Sequence, residues 1–231
     1  VGYGDSDKPA GADYSIPSQA EQVVALADAL GIGSFGLIGH SRGGQISLQI
    51  AAHTAPERVL ALVDVAGPLT GKVGMYQRFA LGPRIAIGRY VPALYNITHR
   101  LFRRSRRLAK LEFSPWFYDI DSVDEDDWWP DVQQATRPGT HVVNYKAGRA
   151  IQSHDLSEAI KAISAPTLVI FGEQDSCIPV EEGIMTAAGV PHARLKLLDA
   201  CGHFPMYEQK DAYLHALHTF LCRHIGQAAS T

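Results

Sequence analysis

Residues 35–44, with the sequence FGLIGHSRGG, decide the fold of this chain. An apolar run ends at Gly39, Ser41 follows two residues later, and a glycine pair beginning at Gly43 opens a segment with helical periodicity. This matches the pattern G-x-S-x-G, in which a strand turns so sharply into a helix that the serine sits at the tip. We expect the small residues Gly39 and Gly43 to let the two arms of the turn pass without Cβ clashes. A strand before Ser41 and a helix over 45–53 are predicted around it.

The composition predicts a single globular domain. At 231 residues and 46% apolar, the chain can bury a sizeable core and still carry an insertion. A net charge of −3 gives no signature of nucleic-acid binding. The sequence has no run of about 18 apolar residues, so no transmembrane helix is predicted. Three cysteines at unpatterned spacing, Cys177, Cys201 and Cys222, are typical of free thiols in a reducing compartment, so the predicted location is cytoplasmic.

Strand-like and helix-like segments alternate on both sides of a long interruption. Strands are predicted at 35–39, 59–63, 166–172 and 194–198. The strand at 35–39 is expected to be buried, and the continuous apolar run at 59–63 is of the kind buried on both faces of a parallel sheet. Helical periodicity predicts helices beginning at a Ser18 capping box and over 45–53, 155–163, 178–188 and 211–224. This rhythm predicts an α/β fold with a mostly parallel sheet flanked by helices.

The interruption differs from its surroundings in charge. Residues 72–110 hold ten Lys or Arg and no acid, whereas residues 111–131 hold eight acids and no base. We therefore predict one α/β domain made of residues 1–68 and 151–231, with residues 69–150 inserted as a helical cap.

The basic run of the insertion has two interpretations. Its helices can lie against the acidic ones, because ten positive charges nearly cancel eight negative charges. Alternatively, a basic cluster faces an anionic partner, such as lipid headgroups, a carrier protein or an acidic substrate. The residues concerned are Arg100, Arg103, Arg104, Arg106, Arg107 and Lys110.

The acidic run contains every tryptophan of the chain: Trp116, Trp128 and Trp129. Tryptophans in such a segment form either its core or a wall of the substrate site, and we predict that Trp128 and Trp129 contact substrate. The carboxylates of Asp121, Asp124 and Glu125 are close in sequence, but a solvated surface explains them, and no metal site is predicted.

The serine needs two partners to act as a nucleophile. A hydroxyl attacks only when a base takes its proton, and the base needs an orienting carboxylate. Asp175 lies three residues past one predicted strand, and His203 lies past the next. Because parallel strands all end on the same side of a sheet, Ser41, Asp175 and His203 are expected to converge there.

Four segments together resemble the α/β-hydrolase superfamily, in its Ser-nucleophile, esterase-like branch. They are the glycine-rich start at 1–9, the turn at 39–44, the acid loop at 171–179 and the Gly-His pair at 202–203. The resemblance covers 1–67 and 151–225, and it implies that the family's first four strands have no counterpart in this chain. The family's His-Gly motif, which supplies one oxyanion donor, is also absent from this sequence.

The resemblance implies a role for each candidate residue. Ser41 is the expected nucleophile, His203 the general base and then acid, and Asp175 its orienter, with no metal or cofactor. The backbone N–H of Arg42 is the expected oxyanion donor. Asp64 is a rival acid, because some members carry the acid after the preceding strand, although a structural carboxylate is the simpler interpretation. The ring of His40 is expected to pack beside the strand.

The expected function is hydrolysis of a carboxylic ester, or a related acyl bond, in a small-molecule substrate through an acyl-enzyme. A serine at position 41 argues against the related dehalogenases and epoxide hydrolases, which need a carboxylate nucleophile. Two alternatives remain open. One is a cofactor-free perhydrolase or haloperoxidase with the same triad, and the other is a catalytically incomplete fragment or a ligand-binding protein.

Overall fold

A computed structural model describes residues 1–225 of the chain. Its sheet has four strands in the order β1-β2-β3-β4, and every neighbouring pair is parallel. The strands are β1 (Phe35–His40), β2 (Val59–Val65), β3 (Thr167–Gly172) and β4 (Arg194–Leu198). The predicted α/β fold with a parallel sheet is confirmed, and the loops after all four strands leave from the same edge.

Ten α-helices accompany the sheet within residues 1–225. They are α1 (Ile16–Ala29), α2 (Arg42–Gln49), α3 (Gly82–Tyr90), α4 (Pro92–Phe102), α5 (Arg106–Phe113), α6 (Glu125–Ala135), α7 (Thr140–Gln152), α8 (Val180–Gly189), α9 (Pro205–Glu208) and α10 (Lys210–His224).

Helices cover both faces of the sheet. Alternate residues of β2 point to opposite sides: Leu62 packs with α1 and α2, whereas Val63 packs with α10. Both residues are fully buried. A strand buried on both faces reads as a continuous apolar run, which is why β2 was recognisable from the sequence.

The inserted segment, residues 69–150, holds α3 to α6 and most of α7. No strand occurs between β2 and β3 in the described chain. Part of this segment has its own apolar core around Trp128 and Phe117, which continues onto Phe204 and Tyr207 near the sheet edge. The boundary predicted between the inserted segment and the α/β domain stays a prediction.

Two helix predictions are wrong, one in its start and one in its type. The first helix begins at Ile16, because Ser15 rather than Ser18 is the N-cap: the Ser15 hydroxyl accepts a hydrogen bond from the Ser18 N–H at 3.3 Å. A proline in the first turn favours this earlier start. The helix predicted over 155–163 is only a short 3₁₀ turn, Ala159–Ala162.

The cysteines are free, as predicted: Cys177 and Cys201 are buried, and Cys222 is exposed. No helix within residues 1–225 combines the length and apolarity needed to cross a membrane. The cytoplasmic location stays a prediction.

Candidate active site

The turn between β1 and α2 holds Ser41 in a strained conformation. Its φ is 55° and its ψ is −122°, which a side-chain-bearing residue adopts at a cost of about 1–3 kcal/mol. The Ser41 N–H donates to the carbonyl of Val65 at 2.8 Å, which ties the turn to the end of β2. A Cβ on Gly39 would lie 2.2 Å from the Gly43 carbonyl oxygen, so only glycine fits there.

The glycine pair after Ser41 has a different role from the one expected. A Cβ on Gly43 would meet nothing within 4 Å, so the expected steric need for a small residue at 43 is wrong. A Cβ on Gly44 would lie 2.2 Å from an oxygen of Asp64. The close approach between α2 and β2 therefore depends on Gly44.

Asp175 and His203 form a buried hydrogen-bonded pair. The Nδ1–H of His203 donates to Oδ2 of Asp175 at 2.7 Å, and the two side chains are 1% and 0% exposed. The other oxygen, Oδ1, accepts from the backbone N–H groups of Cys177 at 2.8 Å and Ile178 at 3.0 Å. With Nδ1 protonated toward Asp175, Nε2 of the ring is left to receive a proton.

Ser41 joins this pair at the sheet edge. Ser41 and His203 both border two neighbouring cavities. The structure thus brings Ser41, Asp175 and His203 together, although 134 positions separate the first two in sequence. The Arg42 N–H belongs to the first turn of α2, where backbone donors have no intrahelical acceptor.

His40 contacts the backbone and the ring of His203. Its Nε2–H donates to the His203 carbonyl oxygen at 2.7 Å, and the two ring centroids are 4.8 Å apart. Burial, with the nearby His203 adding to the effect, lowers the pKa of His40 to about 3. His40 is therefore a neutral ring that positions the His203 loop, with its ring also 5.2 Å from that of Phe204 between centroids. The expected packing of this ring beside the strand stays a prediction.

Two further contacts of this loop were not visible in the sequence. Glu208 accepts from the N–H of Gly202 at 2.9 Å and from that of Tyr118 at 2.6 Å, which joins the loop to the inserted segment. The His203 N–H donates to the Trp116 carbonyl at 2.8 Å. The contacts with Tyr118 and Trp116 have no local sequence signal, because each joins the loop to residues far away in the chain.

Asp64 is not the partner of His203. It lies inside β2 and is fully buried, and its carboxyl group faces the backbone of Gly44 and Gly67. Within residues 1–225, neither of its oxygens makes a hydrogen bond of ordinary geometry, and the nearby Gly67 amide gives only a weaker contact. Burial raises the pKa of the Asp64 carboxyl to about 7, with nearby Glu182 adding to the rise and the Gly67 amide opposing it.

This buried carboxyl makes a prediction about pH. Because its pKa is raised above the ordinary value of 3.8, the stability it contributes is complete below about pH 4 and is lost as the pH rises toward 7. Asp64→Asn removes this ionisation, so the variant should not lose stability across this window. The free energy of unfolding of the variant minus that of the parent should therefore rise by about 1.4 kcal/mol per pH unit. Urea unfolding at several pH values measures the difference. The exposed Asp7→Asn is the control, and parallel profiles for Asp64→Asn and the parent would contradict the prediction.

The first cavity beside Ser41 has a volume of about 230 Å³, and two arginines are among its lining residues. Arg42 borders it, with its guanidinium 4.5 Å from the Tyr3 ring centroid and its Nη1 buried without a hydrogen-bond partner in the described chain. Arg84 also borders it but is paired with Glu112. Arg42 has no such acidic partner within residues 1–225, so it leaves this cavity with an unneutralised positive charge.

The second cavity, of about 330 Å³, is aromatic. Its lining includes Phe113, Trp116, Phe117, Trp128, Phe204 and Tyr207. Of the two tryptophans predicted to contact substrate, Trp128 is brought to this cavity. Trp129 is not among its lining residues and lies instead beneath Arg106, whose guanidinium is 5.4 Å from the ring centroid.

Among residues 1–225, one group of side chains is close enough to hold a metal. Ligand atoms of Asp175, Cys177 and His203 lie within 4.8 Å of one another. Burial raises the pKa of the Cys177 thiol well above its usual value, which disfavours the thiolate that a metal would need. The carboxyl group is already hydrogen-bonded to the ring, so these residues fit an acid–histidine pair better than a metal site.

Comparisons with known proteins agree with the fold. A protein-family model described as the alpha/beta hydrolase fold matches residues 1–210. A 2-hydroxymuconate semialdehyde hydrolase of Pseudomonas putida is 30% identical over 229 residues, which span 96% of this chain and 74% of that protein.

Two solved structures share the fold. A meta-cleavage product hydrolase from Pseudomonas fluorescens IP01 matches with a TM-score of 0.73 and 21% identity, over 95% of this chain and 76% of its own. An enol-lactonase from Burkholderia xenovorans LB400 matches with a TM-score of 0.71 and 24% identity, over 95% of this chain and 77% of its own.

Proposed function

This chain belongs to the α/β-hydrolase fold family and is a hydrolase, and we propose that it cleaves a carboxylic ester or a related acyl bond through an acyl-enzyme on Ser41. One observation carries the proposal. A strained serine borders the same cavities as a histidine whose Nδ1–H is held by a buried carboxylate. Burying such a pair is costly in stability alone, so its place beside Ser41 favours a catalytic role.

The proposed steps follow from these positions. Nε2 of His203 takes the Ser41 hydroxyl proton as Oγ attacks the substrate carbonyl, and the carbonyl electrons move to its oxygen. The Arg42 N–H at the start of α2 stabilises that oxyanion. As the intermediate collapses, His203 returns the proton to the leaving group and an acyl-Ser41 ester remains. Water, deprotonated by the same ring, then releases the acid and regenerates Ser41.

The inserted segment is proposed to act as a cap over this chemistry. It supplies Tyr95, His99 and Phe113 to the first cavity, and Phe113, Phe117 and Trp128 to the second. Excluding water from both cavities would strengthen the electrostatic interactions of the oxyanion and the His203–Asp175 pair.

A second candidate is hydrolysis of a carbon–carbon bond next to a carbonyl in an acidic substrate. The name of the Pseudomonas putida relative, 2-hydroxymuconate semialdehyde hydrolase, favours it. The unneutralised Arg42 beside Ser41 favours it as well, because guanidinium groups bind carboxylates through charge-assisted hydrogen bonds. Both candidates use the same nucleophile and differ in the bond that is cleaved.

A fluorophosphonate probe tests the shared step, because it labels only an activated serine. Labelling at Ser41, located by peptide mass spectrometry, supports an enzyme; an unlabelled but folded protein supports the ligand-binding alternative.

Hydrolysis of p-nitrophenyl esters is then compared with the loss of absorbance of a 2-hydroxy-6-oxo-dienoate, which reports carbon–carbon cleavage. Peracid formation from acetate and hydrogen peroxide would instead identify a perhydrolase.

Arg42 makes a separate prediction about the substrate. Arg42→Gln keeps the backbone N–H but removes the charge, so KM should rise about 10- to 100-fold for a p-nitrophenyl ester whose acyl chain ends in a carboxylate. The neutral ester of the same chain length should change little. The exposed Arg149→Gln serves as the matched control. Equal losses for the acidic and neutral esters would show that Arg42 only supports the structure.

A further inference from the structure

Five of the six basic residues singled out in the inserted segment fall into two groups. Arg106 pairs with Glu125 at 3.3 Å and with Asp126 at 2.8 Å, and Lys110 pairs with Asp121. For these two residues, the basic and acidic helices neutralise each other.

Three of the others line a cleft. Arg100, Arg103 and Arg104, together with Gln133, surround a space of about 370 Å³. In the part of the chain that the structure describes, these arginines have no ion pair, and Nε of Arg103 is buried without a hydrogen-bond partner. Gln133 donates its side-chain N–H to the Arg103 carbonyl at 3.0 Å, which holds the cleft against α6. Three unneutralised guanidinium groups around one space suit a phosphate group.

The helix that leads into this cleft exposes an apolar face. On α4, Leu94, Ile97 and Leu101 recur at spacings of three and four residues and are 50%, 57% and 49% exposed. The opposite face, with Tyr95 and His99, is buried. A surface helix of a globular protein normally turns its apolar side inward, so this outward stripe lacks its partner.

The apolar stripe and the arginine cleft are neighbours. Arg100 lies three residues after Ile97, and Arg103 and Arg104 directly follow the end of α4. Exposed Tyr90 and Val91 extend the apolar surface at its start. A helix with an apolar face bordered by basic residues is the arrangement that lies in a membrane interface.

We propose that α4 and the arginine cleft dock the protein on an anionic lipid surface. Leu94, Ile97 and Leu101 enter the acyl boundary, and the three guanidinium groups bind headgroup phosphates. Charge favours lipid over a second copy of this chain, because a symmetric contact through this face would bring two unneutralised arginine clusters together. This docking does not depend on the chemistry of Ser41.

One consequence rests on the proposed function. Tyr95, His99 and Phe102, on the inner side of α4, border the cavity that holds Ser41. The same helix therefore separates that cavity from the proposed lipid surface. A docked molecule would hold its active-site cavity directly beneath the membrane interface, where apolar acyl substrates concentrate.

Flotation with vesicles tests the docking. The protein should float with vesicles of 70% phosphatidylcholine and 30% phosphatidylglycerol, bind pure phosphatidylcholine weakly, and dissociate as salt is raised. Arg100→Gln/Arg104→Gln should lower the partition coefficient about tenfold or more. Leu94→Ser/Ile97→Ser should lower it at high and low salt alike. The matched charge control is Lys196→Gln/Arg223→Gln, which changes two exposed residues of the α/β domain.

Several outcomes would overturn the proposal. These are equal binding to neutral and anionic vesicles, or binding that survives both double variants. Tight binding of inorganic phosphate with no vesicle binding would identify a small-anion site instead. A dimer that Leu94→Ser/Ile97→Ser dissociates in light scattering would identify a second copy as the partner. Fluorophosphonate labelling of the same variants reports Ser41 separately, so failure of the docking and failure of the hydrolase proposal are distinguishable.

Discussion

Replacing Ser41 with alanine is expected to abolish fluorophosphonate labelling and to lower kcat by about 10⁶-fold, the scale of losing the nucleophile of a catalytic triad. Alanine has no oxygen to attack the carbonyl, so His203 has no proton to take and no acyl-enzyme forms. Residual turnover would come only from water within the oxyanion site. The measurements are in-gel labelling and ester hydrolysis.

The control for this variant is Ser47→Ala. Ser47 lies on the same helix as the proposed oxyanion donor and is buried, but it does not border either cavity beside Ser41. It should keep both labelling and turnover. The unfolding temperature of Ser41→Ala should not be lower than that of the parent, because the hydroxyl contributes to chemistry rather than to packing. Undiminished labelling of Ser41→Ala would place the nucleophile elsewhere.

The sequence predicted those parts of the site that follow from local geometry. Gly39 and Ser41 belong to a strained, tightly packed turn that few residue types can form. The turn can therefore be recognised from a five-residue motif. Asp175 and His203 were placed by the rule that parallel strands end on one side of the sheet. That rule holds whatever the length of the insertion between the strands.

Contacts between distant segments could not be predicted in the same way. His40 supports the His203 carbonyl across 163 positions, and Glu208 joins its loop to Tyr118 across 90. The charge runs of the inserted segment show the same limit. Composition could not tell that Arg106 finds acidic partners while Arg100 has none within residues 1–225, because helix packing decides which side chains meet.

The two wrong helix predictions concern short segments in which the sequence allows more than one local structure. Ser15 and Ser18 are both acceptable N-caps, and burial of Ile16 favours the earlier start. The stretch 155–163 has helical periodicity and buries Leu156, Ile160 and Ile163, but it forms only one short 3₁₀ turn. The apolar periodicity therefore marked the buried face correctly without fixing the type of helix.

Asp175→Asn is the second variant with a large expected effect, a loss of about 10⁴-fold in kcat. The two oxygens of Asp175 have separate tasks: Oδ1 accepts the N–H groups of Cys177 and Ile178, and Oδ2 accepts from His203. In the variant, the amide oxygen keeps the two backbone contacts, so the loop should stay folded. The amide NH₂ then faces Nδ1 of His203 as a donor.

That change reverses the tautomer of the ring. Nδ1 becomes an acceptor, the ring proton moves to Nε2, and the nitrogen that should take the Ser41 proton is already occupied. Nitrogen-detected NMR of His203 should show the proton on Nδ1 in the parent and on Nε2 in the variant, with unfolding temperatures nearly equal. Asp199→Asn, in the neighbouring loop, is the matched control, because its Oδ1 accepts only from Ala200 and Gln174. An Asp175→Asn protein with parental kcat would show that this carboxylate holds the loop without serving catalysis.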